Sequence, residues 1–460
     1  MNFLSLPFMI LMVILILFVS LIKNKSLVKL AFIAASYYFY SGFGLTALII
    51  LILMSYFTYM SGRIIAREKR KKFGIEKQLL IATVTLQLLV LIFFKYFGIL
   101  TMPVGMSFYM LQAISYLVDM YRGDIDENTE LLDVLLFIAF FPQILSGPIM
   151  KAKEFLPQIK EHKGLRKEED PKGGIDFERL SFGIQLFALG AFEKLVIADR
   201  LSVSVDSVYL APKAYSGLSL LFASLGYTLQ LFFDFAAYSN MAVGVGKLLG
   251  FDLTVNFNLP YLALNPSDFW RRWHISLSSW LKEYVYIPLG GSRKGKIRTY
   301  VNLILTMIVS GMWHGSTINF FVWGALHGIA SAINRFFGEL RKEGRFDLHL
   351  PDIVSRILTF LLVSFLWIPF RAKDLKDTLI IFSRIFTLKA GINYFYVYTW
   401  IFAALLLLIQ ALALIKNKGN NPIRVLPLNK FYGKLILALL IIASFMFAYF
   451  GNGAFIYSQF

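Results

Sequence analysis

Residues 4–22 read LSLPFMILMVILILFVSLI, a run of nineteen residues without a charged side chain. A helix of about 20 apolar residues spans the ~30 Å hydrocarbon core of a bilayer. Nearly charge-free runs of similar character recur at residues 45–60, 79–97, 353–370 and 435–449. The sequence therefore predicts a polytopic membrane protein whose solvent is largely lipid.

The overall composition excludes several classes of protein. Hydrophobic residues make up 57% of the 460 residues and charged residues 16%, and a soluble protein this apolar would expose large hydrophobic patches. The net charge of +18 comes mainly from short basic loops, as the positive-inside rule predicts, so nucleic acid is not expected as a partner. The absence of cysteine excludes disulfides, cysteine-ligated metals and an acyl-cysteine intermediate.

The loop RIIAREKRKKFGIEK, residues 63–77, sets the predicted orientation because it is rich in lysine and arginine. If this loop is cytoplasmic, three preceding crossings place the N-terminus outside. No basic residue precedes the first apolar run, and no small-residue cleavage site precedes Lys23. We therefore expect residues 4–22 to form the first spanning helix rather than a cleaved signal.

The polar stretch 251–300 combines basic and aromatic residues. Its large apolar side chains recur at helical spacing, at Phe269, Trp273, Leu277, Trp280, Leu281 and Tyr284. Pro266 precedes this pattern and Pro288 ends it. The pattern predicts one amphipathic helix that lies in the membrane interface, where its tryptophans would act as anchors.

Two histidines lie inside apolar sequence, His314 in SGMWHGS and His327 in WGALHG. The surrounding glycines and serines allow helices to approach closely and leave room for a ligand. His314 is either a general base, since imidazole can deprotonate a hydroxyl near neutral pH, or a buried structural histidine. His327 is assigned the structural role. His274, on the predicted interfacial helix, keeps both interpretations.

The remaining ionisable groups complete this picture. His162 and His349 lie in charged loops and are expected to be solvated. Asp234 and Tyr238, four residues apart, would share one helical face, where they either orient a histidine and line a polar path or form an interhelical hydrogen bond. No G-x-S-x-G, H-E-x-x-H or Walker A sequence occurs, and no metal site is predicted.

Five stretches and the closing residues occur together in a recognisable order. They are PVGMSFYMLQAISYLVDMYRG (103–123), FFPQILSGPIMKAKEFLPQI (140–159), DFAAYSNMAVGVGKLLGFDLTVNFNLPY (234–261), DFWRRWHISLSSWLKEYVYIPLGGSR (268–293), GMWHGSTINFFVWGALHG (311–328) and FIYSQF (455–460). On these residues the chain resembles the bacterial branch of the membrane-bound O-acyltransferase family. That branch contains the alginate and peptidoglycan O-acetylation proteins and, more distantly, the teichoic acid D-alanyl transfer protein.

The resemblance implies an all-α polytopic membrane fold. Its form would be a ring of about ten to twelve transmembrane helices plus interfacial or re-entrant helices around a central tunnel, thinned at its centre. We expect a single domain, residues 1–460. Residues 1–100 would form N-terminal helices, 103–328 the motif-bearing catalytic core, and 353–460 C-terminal helices.

The resemblance also implies roles for individual residues. His314 corresponds to the family's catalytic histidine and His274 to a second functional histidine. Four residues are assigned to the substrate path or tunnel, namely Asp234, Tyr238, Trp273 and Trp313. Independently of the resemblance, the charges of Arg271, Arg272, Arg293 and Lys294 suit the phosphates of the donor, and the positive-inside rule explains the same charges equally well.

The implied activity is transfer of an acyl group, with acetyl expected, from a cytosolic thioester to hydroxyls of a cell-surface polysaccharide. No cofactor is expected to stay bound; acetyl-CoA or another acyl thioester is the donor substrate. We expect an extracytoplasmic acyltransferase partner and a multi-pass location in the bacterial cytoplasmic membrane. Two alternatives stay open: D-alanyl transfer to teichoic acid from a carrier protein, and a proton-coupled transporter or channel without acyl chemistry.

Two positions depart from the alginate-type pattern. Asn240 stands where aspartate is usual, so a charge at that position is in doubt. Lys151 stands where arginine usually follows GPIM, which keeps the charge but loses bidentate pairing. The residues do not decide whether His274 and His314 approach one another.

Overall fold

The computed structural model describes residues 2–395 except 23, 73, 99, 163, 165–175 and 346–349, and then residues 400, 401, 404, 408, 430–449, 455 and 456. Within these residues the chain is helical, and the sole pairing of extended backbone is one isolated bridge between Tyr215 and Ile392. The all-α prediction is therefore confirmed. His349 and the last four residues of the closing motif, 457–460, lie outside the described residues.

The described residues form a series of α-helices along the chain. They are α1 Leu6–Leu21, α2 Lys25–Ser41, α3 Leu45–Lys71, α4 Glu76–Tyr96, α5 Met106–Arg122, α6 Leu131–Ala139, α7 Phe141–Ile144, α8 Ala152–Lys160, α9 Phe177–Phe192, α10 Asp199–Leu210, α11 Gly217–Leu248, α12 Pro266–Arg272, α13 Ile275–Leu281, α14 Lys296–His314, α15 Ile318–Lys342, α16 Asp352–Arg371, α17 Leu375–Phe386 and α18 Phe431–Met446. A π-helical segment, Glu193–Ala198, joins α9 to α10, and a second, Lys282–Tyr286, continues α13.

Five helical stretches of the described chain are long and apolar enough to cross a membrane. They are α3, α4, the continuous stretch Phe177–Leu210, α11 and α16; α1 and α18 are shorter apolar helices. The multi-pass membrane character is thus confirmed. The total of ten to twelve crossings, the central tunnel and the division into three parts remain predictions.

Helix α11 forms the centre of the packing. It is 32 residues long, and its side chains from Gly226 to Ser239 are buried throughout, as expected for a helix that is apolar on every side. Glycines bring its backbone against α9: a Cβ at Gly183 would lie 2.8 Å from the carbonyl oxygen of Gly244. The functional elements described below are arranged around this buried helix.

Helices α14 and α15 form a hairpin whose backbones touch. A Cβ added at Gly311 would overlap the carbonyl oxygen of Phe320, and one at Gly324 would overlap that of Met307. A Cβ at Gly328 would lie 2.7 Å from the Cα of Ile304. Small residues at the crossing points therefore fix the distance between the two helices and, with it, the position of His314 at the end of α14.

The single interfacial helix predicted from residues 266–284 is wrong in two respects. The helix breaks at His274, whose φ of 43° places it in the left-handed region between α12 and α13. Its apolar side is also covered by protein, since Phe269, Trp273 and Leu277 are each only 1% exposed. These aromatic and aliphatic side chains are part of the protein core and do not anchor it in lipid.

His162 also differs from the expectation. Its ring stacks on Phe251 at 4.5 Å between centroids, and its Nε2 lies 2.9 Å from the carbonyl oxygen of Leu249. Burial lowers the pKa of His162 below its ordinary value. The residue is therefore a packed, hydrogen-bonded histidine and not a solvated one.

Candidate active site

His314 is the last residue of α14 and is almost fully buried, with 2% of its surface exposed. Its ring makes edge contacts with the rings of Trp313 at 4.8 Å, Trp323 of α15 at 5.2 Å and Phe370 of α16 at 5.3 Å. Three helices thus enclose one imidazole. The contact with Trp323 depends on the close α14–α15 approach described above.

His274 lies in the same aromatic cluster. Its ring is 4.6 Å from Phe235 of α11 and 6.3 Å from Trp313. It is also near enough to His314 to interact with it electrostatically. The question left open by the sequence is therefore answered: the two histidines lie against the same tryptophan, although forty residues separate them along the chain.

The left-handed turn that carries His274 is held by Asn256. The side-chain oxygen of Asn256 accepts hydrogen bonds from the hydroxyl of Ser276 at 2.6 Å and from its backbone N–H at 3.2 Å. The backbone carbonyl of Asn256 accepts from the N–H of Ile275 at 2.9 Å. Left-handed backbone is costly for a residue other than glycine, so these three bonds pin the imidazole at a defined place.

His327 lies against Trp323 in the same aromatic cluster as His314. Its ring is 5.0 Å from Trp323, 5.1 Å from Trp270 and 5.7 Å from Trp367. Trp323 consequently contacts both His314 and His327. The structure surrounds His327 with tryptophan rings, an environment that fits the structural role assigned from the sequence.

Two residues at the end of α4 also belong to the site, and sequence reasoning missed both. Lys95 donates to the backbone carbonyl of Trp313 and, at 3.3 Å, to the hydroxyl of Ser107; Tyr96 donates to the carbonyl of Met312 at 2.8 Å. The signal was present, because an ionisable side chain inside an apolar run such as 79–97 marks a functional position. These contacts join α4 to the end of the helix that bears His314.

The four basic residues assigned to the donor differ in their surroundings. Arg272 pairs with Asp268 at 3.0 Å, and the mostly exposed Arg271 approaches the same carboxylate at 3.4 Å. Arg293 and Lys294 are exposed in the segment before α14. Phosphate binding by this set stays a prediction.

Asp234 and Tyr238 do share one face of α11, as predicted. Asp234 pairs with Lys194 of the π-helical segment at 2.7 Å, and Lys194 also pairs with Asp199 at 2.8 Å. The interhelical role is therefore the one that the structure displays for Asp234. Its place in a substrate path stays a prediction.

The residues near position 455 close over this same face. The second oxygen of Asp234 accepts from the backbone N–H of Ile456 at 2.8 Å, and Lys194 lies 4.4 Å from the centre of the Phe455 ring. Tyr238 packs between Phe3 at 4.8 Å and Phe455 at 5.1 Å. Residues from both ends of the described chain thus meet on α11.

Asp234→Asn is expected to destabilise the fold by about 1.5–3 kcal/mol, because it weakens a buried charge-assisted hydrogen bond while Asp199 still pairs with Lys194. The measurement is thermal or denaturant unfolding in detergent. Asp252→Asn is the matched control: Asp252 pairs with Lys247 at 2.5 Å, but its side chain is 57% exposed, so its loss should cost about 0–1 kcal/mol. Equal losses in the two variants would contradict the assignment.

The two departures from the alginate-type pattern have structural explanations. The amide of Asn240 donates to the buried Glu193 at 2.8 Å, a contact in which an aspartate would set two carboxylates against each other. Lys151 is buried and pairs with Glu283 at 2.9 Å, so its charge is used without bidentate geometry.

Glu283 is the centre of a charged cluster on a polar part of the protein. Burial acts to raise its pKa, but hydrogen bonds from Lys153 and Lys151 outweigh burial and leave the pKa below its ordinary value. Carboxylate oxygens of Asp119, Asp124 and Glu283 lie within 4.8 Å of one another, an arrangement that could hold a cation. The two lysines already supply positive charge there, so ion pairing explains the cluster.

The fold and the site together describe a multi-pass helical membrane protein in which two histidines lie beside one buried tryptophan. Comparison with known proteins shows to which family such a chain belongs. Residues 32–370 match the membrane-bound O-acyltransferase family, MBOAT. The chain belongs to that family. The matched range contains the predicted catalytic core, 103–328.

Several bacterial relatives are similar over long stretches. The chain is 37% identical over 304 residues to the peptidoglycan O-acetyltransferase of Helicobacter pylori, covering 61% of this chain and 56% of that protein. It is 35% identical over 370 residues to the probable alginate O-acetylase of Pseudomonas aeruginosa, covering 76% and 68%. It is 30% identical over 273 residues to the teichoic acid D-alanyltransferase of Bacillus subtilis, covering 57% and 66%. The chain thus spans little more than half the length of the first of these relatives.

Proposed function

We propose that this chain is an O-acyltransferase that moves an acetyl group from a cytosolic thioester toward hydroxyls of a cell-surface polysaccharide. The observation that carries the proposal is the pairing of His314 and His274 around Trp313. Membership of the acyltransferase family and similarity to proteins named for peptidoglycan and alginate acetylation support it. The bacterial cytoplasmic membrane is the proposed location, since the donor is made in the cytosol.

The reaction requires one base and no covalent enzyme intermediate. A ring nitrogen of His314 takes the proton of the acceptor hydroxyl while the hydroxyl oxygen attacks the thioester carbonyl carbon. The tetrahedral intermediate collapses, the C–S bond breaks, and the thiolate leaves with the proton that His314 returns. This route suits a chain without cysteine, because neither sulfur nucleophile nor acyl-enzyme is needed.

The proposal includes gated access to His314. Because only 2% of its surface is exposed, we expect the rings of Trp313, Trp323 and Phe370 to move when a thioester and a hydroxyl bind. The same enclosure would exclude water, which competes with the acceptor for the acyl group.

The donor and the partner are parts of the same proposal. Exposed Arg293 and Lys294 suit the phosphates of coenzyme A on the cytoplasmic side. An extracytoplasmic acyltransferase would complete delivery to the polymer. Transfer of D-alanyl from a carrier protein is the second candidate, favoured by the 30% identity to the Bacillus subtilis teichoic acid D-alanyltransferase.

The test supplies radiolabelled acetyl-CoA to bacterial membranes that contain the full chain and follows label on the envelope polymer. We expect label with the native chain and at least about 10²-fold less with His314→Gln. Labelled D-alanyl carrier protein as the sole productive donor would favour the second candidate. No acyl product from either donor would leave the transporter alternative. Full polymer labelling by the purified chain in liposomes would remove the partner from the proposal.

A further inference from the structure

Side chains at the end of α4 donate hydrogen bonds to backbone carbonyls at the end of α14. The last carbonyls of any helix lack partners within the helix and must be satisfied from outside. Here Tyr96 donates to the carbonyl of Met312 at 2.8 Å, Lys95 donates to that of Trp313, and Gly315 O lies 3.5 Å from the Tyr96 hydroxyl. Side chains that are neighbours on one helix therefore bind backbone on both sides of His314.

A lysine at position 95 has a free-energy cost that must be compensated elsewhere in the structure. It belongs to a helix that is long and apolar enough to cross the membrane, where a charged side chain is strongly disfavoured without a compensating role. Among the described residues no carboxylate lies within ion-pair distance of Lys95. Its contacts are the Trp313 carbonyl, the Ser107 hydroxyl and the Trp313 ring at 6.0 Å. The negative end of the α14 dipole is the compensation that the structure offers.

The charge of Lys95 also acts on the imidazole beside it. Lys95 on α4 and His274 between α12 and α13 are among the groups that interact electrostatically with His314. The rings of Trp313, Trp323 and Phe370, which contact His314, carry no charge. Burial is the main cause that favours the neutral imidazole at His314, and a positive charge on Lys95 acts in the same direction, because it disfavours a second positive charge nearby.

We propose that Lys95 and Tyr96 are positioning residues for acyl transfer: they fix the last turn of α14 and, with it, the place of His314. This inference rests on the proposed acetyl transfer. Neither side chain needs to touch a substrate. Their effect passes through the carbonyls of Met312 and Trp313 and through the charge at the end of α4.

The experiment compares Lys95→Met, Lys95→Arg and Tyr96→Phe in membranes supplied with labelled acetyl-CoA. Lys95→Met should lower the rate at saturating acetyl-CoA by about 10²-fold, the effect of a small misplacement of a catalytic group. Its KM for acetyl-CoA should stay within about twofold of the native value. The acid limb of its pH–rate profile should move to higher pH, because His314 would protonate more readily without the positive charge of Lys95 nearby. Lys95→Arg should restore most of the rate, and Tyr96→Phe should lower it several-fold.

Lys77→Met is the matched control, since Lys77 is an exposed lysine near the start of the same helix and should leave rate and profile unchanged. A folded Lys95→Met protein with the native rate and pH profile would overturn the inference while leaving the proposed function intact. A native chain without acetyl transfer would instead overturn the proposed function. If both Lys95 variants fail to fold, Tyr96→Phe decides the matter, because it removes one hydroxyl, and a native rate in it would overturn the inference.

Discussion

Replacing His314 with glutamine is expected to lower acetyl transfer by about 10²–10⁴-fold, the range that a general base contributes. Glutamine fills much of the imidazole's space among Trp313, Trp323 and Phe370 but cannot accept and return a proton. The variant should therefore remain folded in the membrane. The measurement is the initial rate of label transfer from acetyl-CoA, with the amount of folded protein determined by size-exclusion chromatography in detergent.

His327→Gln is the matched control for this prediction. His327 is as deeply buried as His314 and contacts the same Trp323, at 5.0 Å against 5.2 Å. If burial among tryptophans were all that mattered, the two substitutions would have the same effect. We expect His327→Gln to affect stability more than rate. An equal loss of rate per folded molecule in both variants would remove the special role of His314.

Gly324→Val is expected to disrupt the α14–α15 hairpin at a cost of about 3 kcal/mol or more, at the upper end of what overpacking a core produces. Even the Cβ of alanine would overlap the carbonyl oxygen of Met307, and the second nearest atom, the Cα of Ile308, is 3.0 Å away. Both are backbone atoms, which cannot rotate aside. The two helices would have to separate, and the contact of Trp323 with His314 would be lost.

The measurement is thermal unfolding in detergent, followed by tryptophan fluorescence, together with the transferase rate. Gly338→Ala is the control on the same helix, since a Cβ there meets no atom within 4 Å. Alanine is the better helix former by about 1 kcal/mol, so this variant should be neutral or slightly more stable. Native-like unfolding of Gly324→Val would show that the hairpin tolerates separation.

Hydropathy and motifs predicted the membrane helices and the close approach near His314, but they did not predict how the helices pack. The charge-free runs identified α1, α3, α4 and α16, because transfer of apolar side chains into lipid is additive along a helix. The small residues around His314 correctly indicated a close helix approach. Periodicity failed at residues 269–284, since it shows which side of a helix is apolar and not whether lipid or protein covers that side.

Long-range polar contacts could not be predicted for a similar reason. Nothing local links Lys95 to the carbonyl of Trp313, more than two hundred residues away, or Lys194 to Asp234 on another helix. The sequence predicts a regular helix at His274, because its left-handed backbone depends on hydrogen bonds that Ser276 donates to Asn256, which lies eighteen residues before His274. Such contacts exist only once the helices have assembled.

The closure of α11 by Phe455 and Ile456 has a consequence for biosynthesis. Phe455 leaves the ribosome about 260 residues after Lys194, so the helices that carry Lys194 and Asp234 have entered the bilayer before their cover exists. Because Lys194 and Asp234 pair with each other, neither charge needs to be unpaired in the membrane before residue 455 is synthesised. We therefore expect Phe455 and Ile456 to cover this face of α11 only after the earlier helices have entered the membrane.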